Sequence, residues 1–230
     1  MDLSKRLSAV ASFVTPGYSV ADIGTDHGYI PIYLAGQGSR KIIAMDINAG
    51  PLQRAEDHVR LHRLEALIET RISDGLQALK PGEVQAVVLA GMGGALVLKI
   101  LADSPAVTAK VEEFILQPQS EIAKVRAWLW QQGFIVQAED MVKEDGKYYP
   151  VMYVRHGREA PYTPAELCYG RCLLQQKHPI LQQFIASEIK RNEQILSQLC
   201  RQQSLAADKR KAEIETVLDD NRKVLERISE

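Results

Sequence analysis

The chain has 230 residues, 46% of them apolar and 25% charged, with 28 basic against 29 acidic side chains. This composition is typical of a folded globular protein and excludes a disordered or fibrous chain. The balanced charge excludes a wholly basic nucleic-acid binder, although local basic patches remain possible. No apolar run approaches the roughly 18 residues of a membrane span.

The three cysteines, Cys168, Cys172 and Cys200, are too few for a disulfide framework and favour a reducing compartment. Cys168 and Cys172 lack the second Cys or His pair that a metal site needs nearby. We therefore predict a cytoplasmic protein with neither a metal nor a membrane partner.

Short apolar runs alternate with helical patterns over the first two thirds of the chain. Apolar spacing behind Asp2, a candidate N-cap, places a first helix over 3–14. Strands are predicted at 19–23, 41–45, 67–72, 84–90 and 114–116, with helices near 52–59, 95–102 and 122–129 between them. A hairpin of 134–139 and 148–154 closes the series around Asp145-Gly146.

This alternation predicts an α/β fold: right-handed βαβ units in an open parallel sheet, closed by an antiparallel hairpin. Five such units followed by a hairpin form the Rossmann-like arrangement of class I methyltransferases. It is unusual for a dehydrogenase.

The last third of the chain reads as helix almost throughout. A linker at 156–162 divides the sequence into predicted domains 1–158 and 159–230. Thr163 and Glu166 form a capping box, and Pro179 breaks or kinks the helix that follows. Two apolar stripes, separated by the polar stretch 201–204, predict two helices folded into an antiparallel coiled coil.

The loop after the first strand contains two carboxylates. Asp22 and Asp26 flank Gly24, and the glycine spacing differs from the Gly-x-Gly-x-x-Gly pattern of dinucleotide sites. Two negative charges repel a pyrophosphate but suit the cationic, phosphate-free S-adenosylmethionine. The alternative is an ordinary strand-to-helix turn without a ligand.

Three later strand ends carry candidates of the same kind. Asp46 after the second strand suits the ribose hydroxyls of a nucleoside, or else it caps the next helix. Asp74-Gly75 after the third strand can accept from an adenine amine, or it is an ordinary turn. Gly91, Gly93 and Gly94 follow the fourth strand. They leave an open backbone surface for a ligand, or they form only a flexible turn before the next helix. Because these candidates fall at successive strand ends, together they are stronger evidence for a binding site than any one of them alone.

Several segments resemble the bacterial tRNA (adenine-22-N1)-methyltransferase family, the TrmK type. The segments that carry the resemblance are Ser4-Lys5-Arg6-Leu7, the run from Asp22 to Pro31, Ala44-Met45-Asp46, Ser73-Asp74-Gly75-Leu76, the run from Ala90 to Gly94, Leu116-Gln117-Pro118-Gln119 and Gly146-Lys147-Tyr148-Tyr149. The resemblance covers residues 1 to about 155 closely. The helical tail is similar in architecture.

This resemblance implies an S-adenosylmethionine-dependent enzyme that methylates N1 of an adenine in the D-arm region of tRNA. The cofactor-binding residues that it implies are Asp22, Gly24, His27, Gly28, Asp46, Ile47, Asp74, Gly75, Ala90, Gly91 and Met92. Asp26 would lie at the mouth of the site and face the target base.

Adenine N1 attacks a methyl group through its own lone pair, so catalysis can rest on alignment and electrostatics. We interpret Asp26 as the catalytic residue: it accepts a hydrogen bond from the N6 amine and favours the developing positive charge. The alternative is that Asp26 caps the helix starting near Tyr29. Tyr29, Tyr148 and Tyr149 are candidates for stacking on a flipped-out base.

Basic residues in both domains are candidate contacts to the tRNA backbone. The predicted RNA-binding residues are Lys5, Arg6, Arg60, Arg63, Lys190, Arg191, Lys209 and Arg210. The helical tail is expected to bind tRNA. The alternative is that its charged residues form an ordinary solvent-exposed helix face. The protein is expected to be a monomer or a weak dimer.

Three other functions fit the same patterns. One is a methyltransferase that acts on another RNA or on a small molecule. The second is a nicotinamide-dependent oxidoreductase, which the glycine spacing disfavours. The third is a dimerisation module without catalytic activity.

Overall fold

A computed structural model describes residues 2–200 and 204–229 of the chain. The chain divides into two compact units, one running up to Cys168 and the other beginning at Tyr169. Within the described residues, no helix is both long and apolar enough to cross a membrane.

The first unit contains seven strands: β1 (Val20–Ile23), β2 (Ile42–Asp46), β3 (Ile68–Ile72), β4 (Ala86–Met92), β5 (Glu113–Pro118), β6 (Phe134–Glu144) and β7 (Lys147–His156). Its helices are α1 (Lys5–Ser12), α2 (Tyr29–Gly36), α3 (Ala49–Leu61), α4 (Gly94–Asp103), α5 (Pro105–Thr108) and α6 (Ile122–Gln131). A further helix, α7 (Pro164–Tyr169), lies where the two units join in sequence.

The strands form one sheet in the order β3-β2-β1-β4-β5-β7-β6. Strands β1 to β5 are parallel to one another, and β7 is antiparallel to both β5 and β6. The predicted Rossmann-like sheet with an antiparallel closing hairpin is therefore confirmed. Strand addition reverses direction between β1 and β4, and ligands of open α/β sheets bind at such a switch.

The core lies on both faces of the sheet because the central strands alternate between them. Val87 and Leu89 of β4 pack into one apolar cluster with α4 and α6, whereas Ala86 and Val88 pack into the other with α1 and α2. Burial on both faces explains the uninterrupted apolar run predicted as a strand at 84–90.

The first helix begins at Lys5, and its N-cap is Ser4 rather than the predicted Asp2. The Ser4 hydroxyl oxygen accepts a hydrogen bond from the Leu7 N–H at 3.3 Å. Serine and aspartate cap helices about equally well, so the sequence offers two caps. The structure uses the later cap, Ser4, so that the helix begins one turn before its buried residues, Ala9, Val10 and Ala11.

A buried ion pair fixes the end of the first unit ten residues beyond the predicted linker boundary at 158. Arg126 on α6 is 1% exposed and donates to Glu139 on β6 at 2.7 Å. Arg126 Nη1 also donates to the backbone oxygens of Leu167 and Cys168, at 2.8 and 3.1 Å. These bonds attach α7 to α6 of the first unit.

The second unit contains α8 (Arg171–Gln175), α9 (Pro179–Leu199) and α10 (Leu205–Ser229). Pro179 starts α9 with His178 as its N-cap, so the predicted helix break is confirmed. Helices α9 and α10 run antiparallel: Gln182 donates to the oxygen of Ile228 at 2.9 Å, and Arg222 pairs with Glu193 at 2.8 Å. Coiled-coil packing stays a prediction, and most of the stretch 201–204 lies outside the described residues.

Candidate active site

The carboxyl ends of β1 and β4 border a cavity of about 330 Å³. Six residues predicted to bind the cofactor or to act in catalysis line it: Asp22, Gly24, Asp26, His27, Ala90 and Gly91. The other lining residues are Arg6, Leu7, Thr25, Tyr29, Ile30 and Gln119. The cavity therefore lies at the switch point of the sheet and brings together the loops that follow two non-consecutive strands.

Asp22 at the end of β1 is a buried carboxyl, with only 3% of its surface exposed. Burial, together with a smaller effect of the negative charge of Asp46, raises its pKa from 3.8 to about 7. The nearby Thr25 hydroxyl offsets part of this rise without completing a hydrogen bond. Asp22 consequently changes its charge near neutral pH, and a positively charged ligand would stabilise the ionised form.

Two buried polar atoms beside Asp22 have no hydrogen-bond partner among the described residues. They are Oγ1 of Thr25 and Nδ1 of His27, and both residues line the cavity. Because burying an unsatisfied polar atom costs free energy, such atoms in a cavity indicate a ligand with hydrogen-bonding groups. A cationic ligand with amine and hydroxyl groups fits this combination of a carboxyl and two orphaned atoms.

The loop after β1 alternates in backbone handedness. Gly24, Asp26 and Gly28 have positive φ values of 73°, 44° and 71°. A Cβ atom at Gly24 would lie 2.4 Å from Cε of Met92, so glycine allows the loops after β1 and β4 to approach. Gly28 faces Ala55 of α3 instead, and a Cβ atom added at Gly28 would lie 3.3 Å from Cβ of Ala55. It supports the loop from behind and does not line the cavity.

Asp26 lies at the mouth of the cavity with its side chain 59% exposed. Its Oδ1 accepts from Nη2 of Arg54 at 2.7 Å, and its Oδ2 lies 3.7 Å from Nε2 of His27. Gly28 is the N-cap of α2, so the alternative that Asp26 caps this helix is wrong.

Asp46 ends β2, next to the loop after β1. Its Oδ1 accepts from the N–H of Asn48 at 2.8 Å, while Asn48 is the N-cap of α3. The alternative that Asp46 itself caps α3 is therefore wrong. Ile47 follows with its side chain largely exposed, which leaves an apolar surface beside the carboxylate.

Asp74 and Gly75 follow β3 at the same edge of the sheet. The N–H of Ser73 donates to the oxygen of Asp46 at 2.9 Å, which places this turn beside β2. A Cβ atom at Gly75 would approach Ile100 to 2.9 Å. Asp74 is exposed. Six of the predicted cofactor-binding residues do not line the cavity: Gly28, Asp46, Ile47, Asp74, Gly75 and Met92.

Aromatic rings contact several of the residues that line the cavity. His27 stacks on Tyr29 with ring centroids 5.3 Å apart and on His58 at 5.6 Å. Tyr149 lies beneath the guanidinium of Arg6, and Tyr148 lies near Lys143. Of the three tyrosines predicted to stack on a base, Tyr29 is the one that lines the cavity.

Residues 3–152 match a protein-family model described as a methyltransferase domain. The tRNA (adenine(22)-N(1))-methyltransferase of Bacillus subtilis is 34% identical over 92% of this chain and 91% of its own length. The chain belongs to the tRNA (adenine(22)-N(1))-methyltransferase family.

Solved structures agree with this membership. Streptococcus pneumoniae Sp1610, in complex with S-adenosyl-L-methionine, is 31% identical, with a TM-score of 0.88 over 97% of this chain and 100% of that one. M. capricolum TrmK, in complex with S-adenosyl-homocysteine, is 27% identical, with a TM-score of 0.84 over 98% and 99%. This methyltransferase thus shares its fold with them along almost its whole length.

The predicted RNA-binding residues of this methyltransferase differ in their surroundings. Arg60, Arg191 and Arg210 form ion pairs with neighbours three or four residues away on their own helices. Lys5, Arg63, Lys190 and Lys209 are exposed. Arg6 differs from all of these because it is half-buried and lines the cavity.

Thr25, Gln117 and Gln119 were not among the predicted site residues of this methyltransferase. Thr25 and Gln119 line the cavity, and Gln117 lies buried behind it. The segment from Leu116 to Gln119 did carry the family resemblance, and it follows β5 as the other motifs follow their strands. No group of His, Cys, Asp and Glu side chains suited to a metal ion occurs among the described residues.

Proposed function

We propose that this protein transfers the methyl group of S-adenosyl-L-methionine to N1 of adenine 22 in tRNA. The observation that carries the proposal is the buried Asp22 carboxyl, which faces a cavity between β1 and β4 beside two unpartnered polar atoms. Membership of the tRNA (adenine(22)-N(1))-methyltransferase family supports the substrate and the position.

The residues that would hold the cofactor lie at the ends of four strands. They are Asp22, Gly24, His27, Gly28, Asp46, Ile47, Asp74, Gly75, Ala90, Gly91 and Met92. When bound, S-adenosyl-L-methionine supplies a methyl group activated by a positive sulfonium. The carboxylates attract this cation and repel a diphosphate, which disfavours the nicotinamide-dependent alternative.

The target base must leave its stack because N1 lies on the Watson–Crick edge. Tyr29 is partly exposed at the cavity and stacks on His27, so it can offer a ring face to an extruded base. Adenine N1 is the nucleophile through its own lone pair. The protein therefore needs to align the base and exclude water rather than remove a proton.

Asp26 is the residue proposed to act on the base directly. Its carboxylate at the cavity mouth can accept from the N6 amine, and its charge favours the positive charge that develops on the ring. Arg54 and the left-handed backbone fix where this carboxylate points.

Asp26→Asn is expected to lower kcat by about 100-fold, because it removes the negative charge at the reacting base. The Kd of S-adenosyl-L-methionine is expected to stay within about threefold, since asparagine tolerates the left-handed backbone. The matched control is Asp57→Asn, which alters a carboxylate of similar exposure that also pairs with an arginine, Arg60. Steady-state kinetics with tRNA would contradict the role if both variants kept normal turnover.

The wider proposal is a cytoplasmic enzyme, monomeric or weakly dimeric, that contacts tRNA through both units. A tRNA substrate and the low cysteine content support the location. The basic residues proposed to contact the RNA backbone are Lys5, Arg6, Arg60, Arg63, Lys190, Arg191, Lys209 and Arg210.

Incubation of an unmodified tRNA transcript with methyl-labelled cofactor tests the function. Nucleoside analysis is expected to show 1-methyladenosine, and replacing adenine 22 with guanine is expected to abolish the label. Methyl transfer to a different base would assign another RNA target. Absence of any methylation of tRNA would leave the small-molecule alternative.

A further inference from the structure

Two neighbouring cations at the start of α1 have different surroundings. Lys5 is exposed, whereas Arg6 is half-buried in the wall of the cavity. Arg6 Nη1 donates to Oε1 of Gln117 at 3.0 Å, and its Cζ lies 5.6 Å from the centroid of the Tyr149 ring. The Arg6 guanidinium is therefore held at its edge by an amide and on its face by an aromatic ring.

Gln117 is completely buried, and its Oε1 accepts a second hydrogen bond. The second donor is the N–H of Gly91 at 3.1 Å. The pairing of β4 with β5 shifts register between Ala90 and Met92, so the Gly91 N–H bonds to a side chain at this irregularity. One side chain thus fixes both the loop after β4 and the guanidinium of Arg6.

The guanidinium of Arg6 forms no ion pair with the described part of the chain. Among the described residues, no carboxylate lies within 4 Å of its guanidinium. The proposed reaction brings a cationic methyl donor and yields a cationic base in the same cavity. Asp22 and Asp26, which line the same cavity, are the carboxylates proposed to face these two cations. The partly buried charge of Arg6 therefore needs a further anion, which the substrate can bring.

An extruded nucleotide carries such an anion in its own phosphodiester. We propose that Arg6 binds a phosphodiester flanking the target adenosine, and that Gln117 and Tyr149 are positioning residues for its guanidinium. Arginine suits this role because its planar fork matches two phosphate oxygens. The inference rests on the proposed function, and it assigns Arg6 a contact to one nucleotide rather than general attraction to RNA.

The test uses full-length protein and tRNA with a single neutral methylphosphonate at either linkage flanking adenosine 22. In the wild type, one of these linkages is expected to lower kcat/KM by about 30-fold, the value of a charge-assisted hydrogen bond. Arg6→Ala is expected to lose a similar factor on natural tRNA and to lose nothing further on the methylphosphonate tRNA. Such non-additivity identifies two groups that touch.

Lys5→Ala is the matched control. It is expected to lose about threefold on natural tRNA through weaker general attraction, and to keep the full response to the methylphosphonate. Calorimetry with S-adenosyl-L-methionine reports whether each variant is folded, because the proposal leaves cofactor affinity unchanged. The proposal would be overturned if the methylphosphonate lowered the kcat/KM of Arg6→Ala by the same factor as that of the wild type.

Gln117→Glu tests the positioning role without removing the acceptor for Gly91. A carboxylate at this place would pair with Arg6, so we expect lower kcat/KM and a weaker response to the methylphosphonate at unchanged cofactor affinity. An unchanged response would overturn the positioning role of Gln117. If the wild type did not methylate natural tRNA, the proposed function itself would fail, which is a separate outcome.

Discussion

Asp22→Asn is expected to weaken the binding of S-adenosyl-L-methionine by about 10- to 100-fold while stabilising the protein without cofactor. The substitution keeps the shape of the side chain and removes its charge. The lost charge is the buried anion proposed to face the cationic cofactor, and charge-assisted contacts of this kind contribute about 1.5–3 kcal/mol. Isothermal titration calorimetry measures the change in Kd.

The stabilising effect follows from the raised pKa of Asp22. The folded protein holds the Asp22 proton up to about pH 7, whereas the unfolded chain releases it near 3.8. The unfolded state thus binds fewer protons between these values, so the free energy of unfolding falls as pH rises from about 4 to 7. At neutral pH the cost is roughly 4 kcal/mol, and asparagine avoids it.

The same titration predicts how cofactor binding depends on pH. Below a pH of about 7 the wild-type Kd is expected to rise up to tenfold per pH unit, because the carboxyl must first ionise. Asp22→Asn is expected to lack this dependence. A variant that kept the wild-type pH profile would contradict the assignment of the titration to Asp22.

Glu113→Gln provides a control in which the free energy of unfolding is expected to change in the opposite direction. Glu113 is equally buried, but its carboxylate accepts from the N–H and hydroxyl of Thr15 and from the hydroxyl of Tyr153. Removing its charge is expected to lower the free energy of unfolding and leave the cofactor Kd unchanged. Denaturant unfolding of both variants separates a functional carboxylate from a structural one.

Removal of the second unit after Cys168 is expected to reduce kcat/KM for tRNA by about 100-fold or more, with cofactor Kd within about threefold. The tail carries the exposed Lys190 and Lys209, and each lost phosphate contact weakens binding and reduces its salt dependence. Binding of tRNA at several salt concentrations measures this loss. Equal loss of cofactor binding would contradict a role in tRNA recognition and indicate a role in folding.

A second truncation, after residue 158, is the matched comparison. It would remove the Leu167 and Cys168 oxygens that accept from the buried Arg126. We expect this shorter chain to be less stable than the one ending at Cys168, because a buried guanidinium loses two of its acceptors. Thermal unfolding of the two truncated chains distinguishes them.

The site residues that could be predicted from the sequence are those that directly follow a strand. Asp22, Asp46 and Asp74 follow three strands, and parallel strands bring their carboxyl ends to one edge, so chain order was enough. Arg6 meets Gln117 across 111 positions in the chain, a separation at which spacing carries no signal. The late boundary at Cys168 likewise depends on Arg126, more than forty positions earlier.

The alternating handedness of the loop from Gly24 to Gly28 limits which variants can be found there. Asp26 occupies a left-handed conformation that glycine, asparagine and aspartate adopt readily and β-branched residues avoid. In a saturation library at this position, most replacements are expected to lose about 1–2 kcal/mol through backbone strain, in addition to any effect on the chemistry. Evolution of a different base preference is therefore easier at neighbouring Tyr29, where the helical backbone accepts many side chains, than at the carboxylate itself.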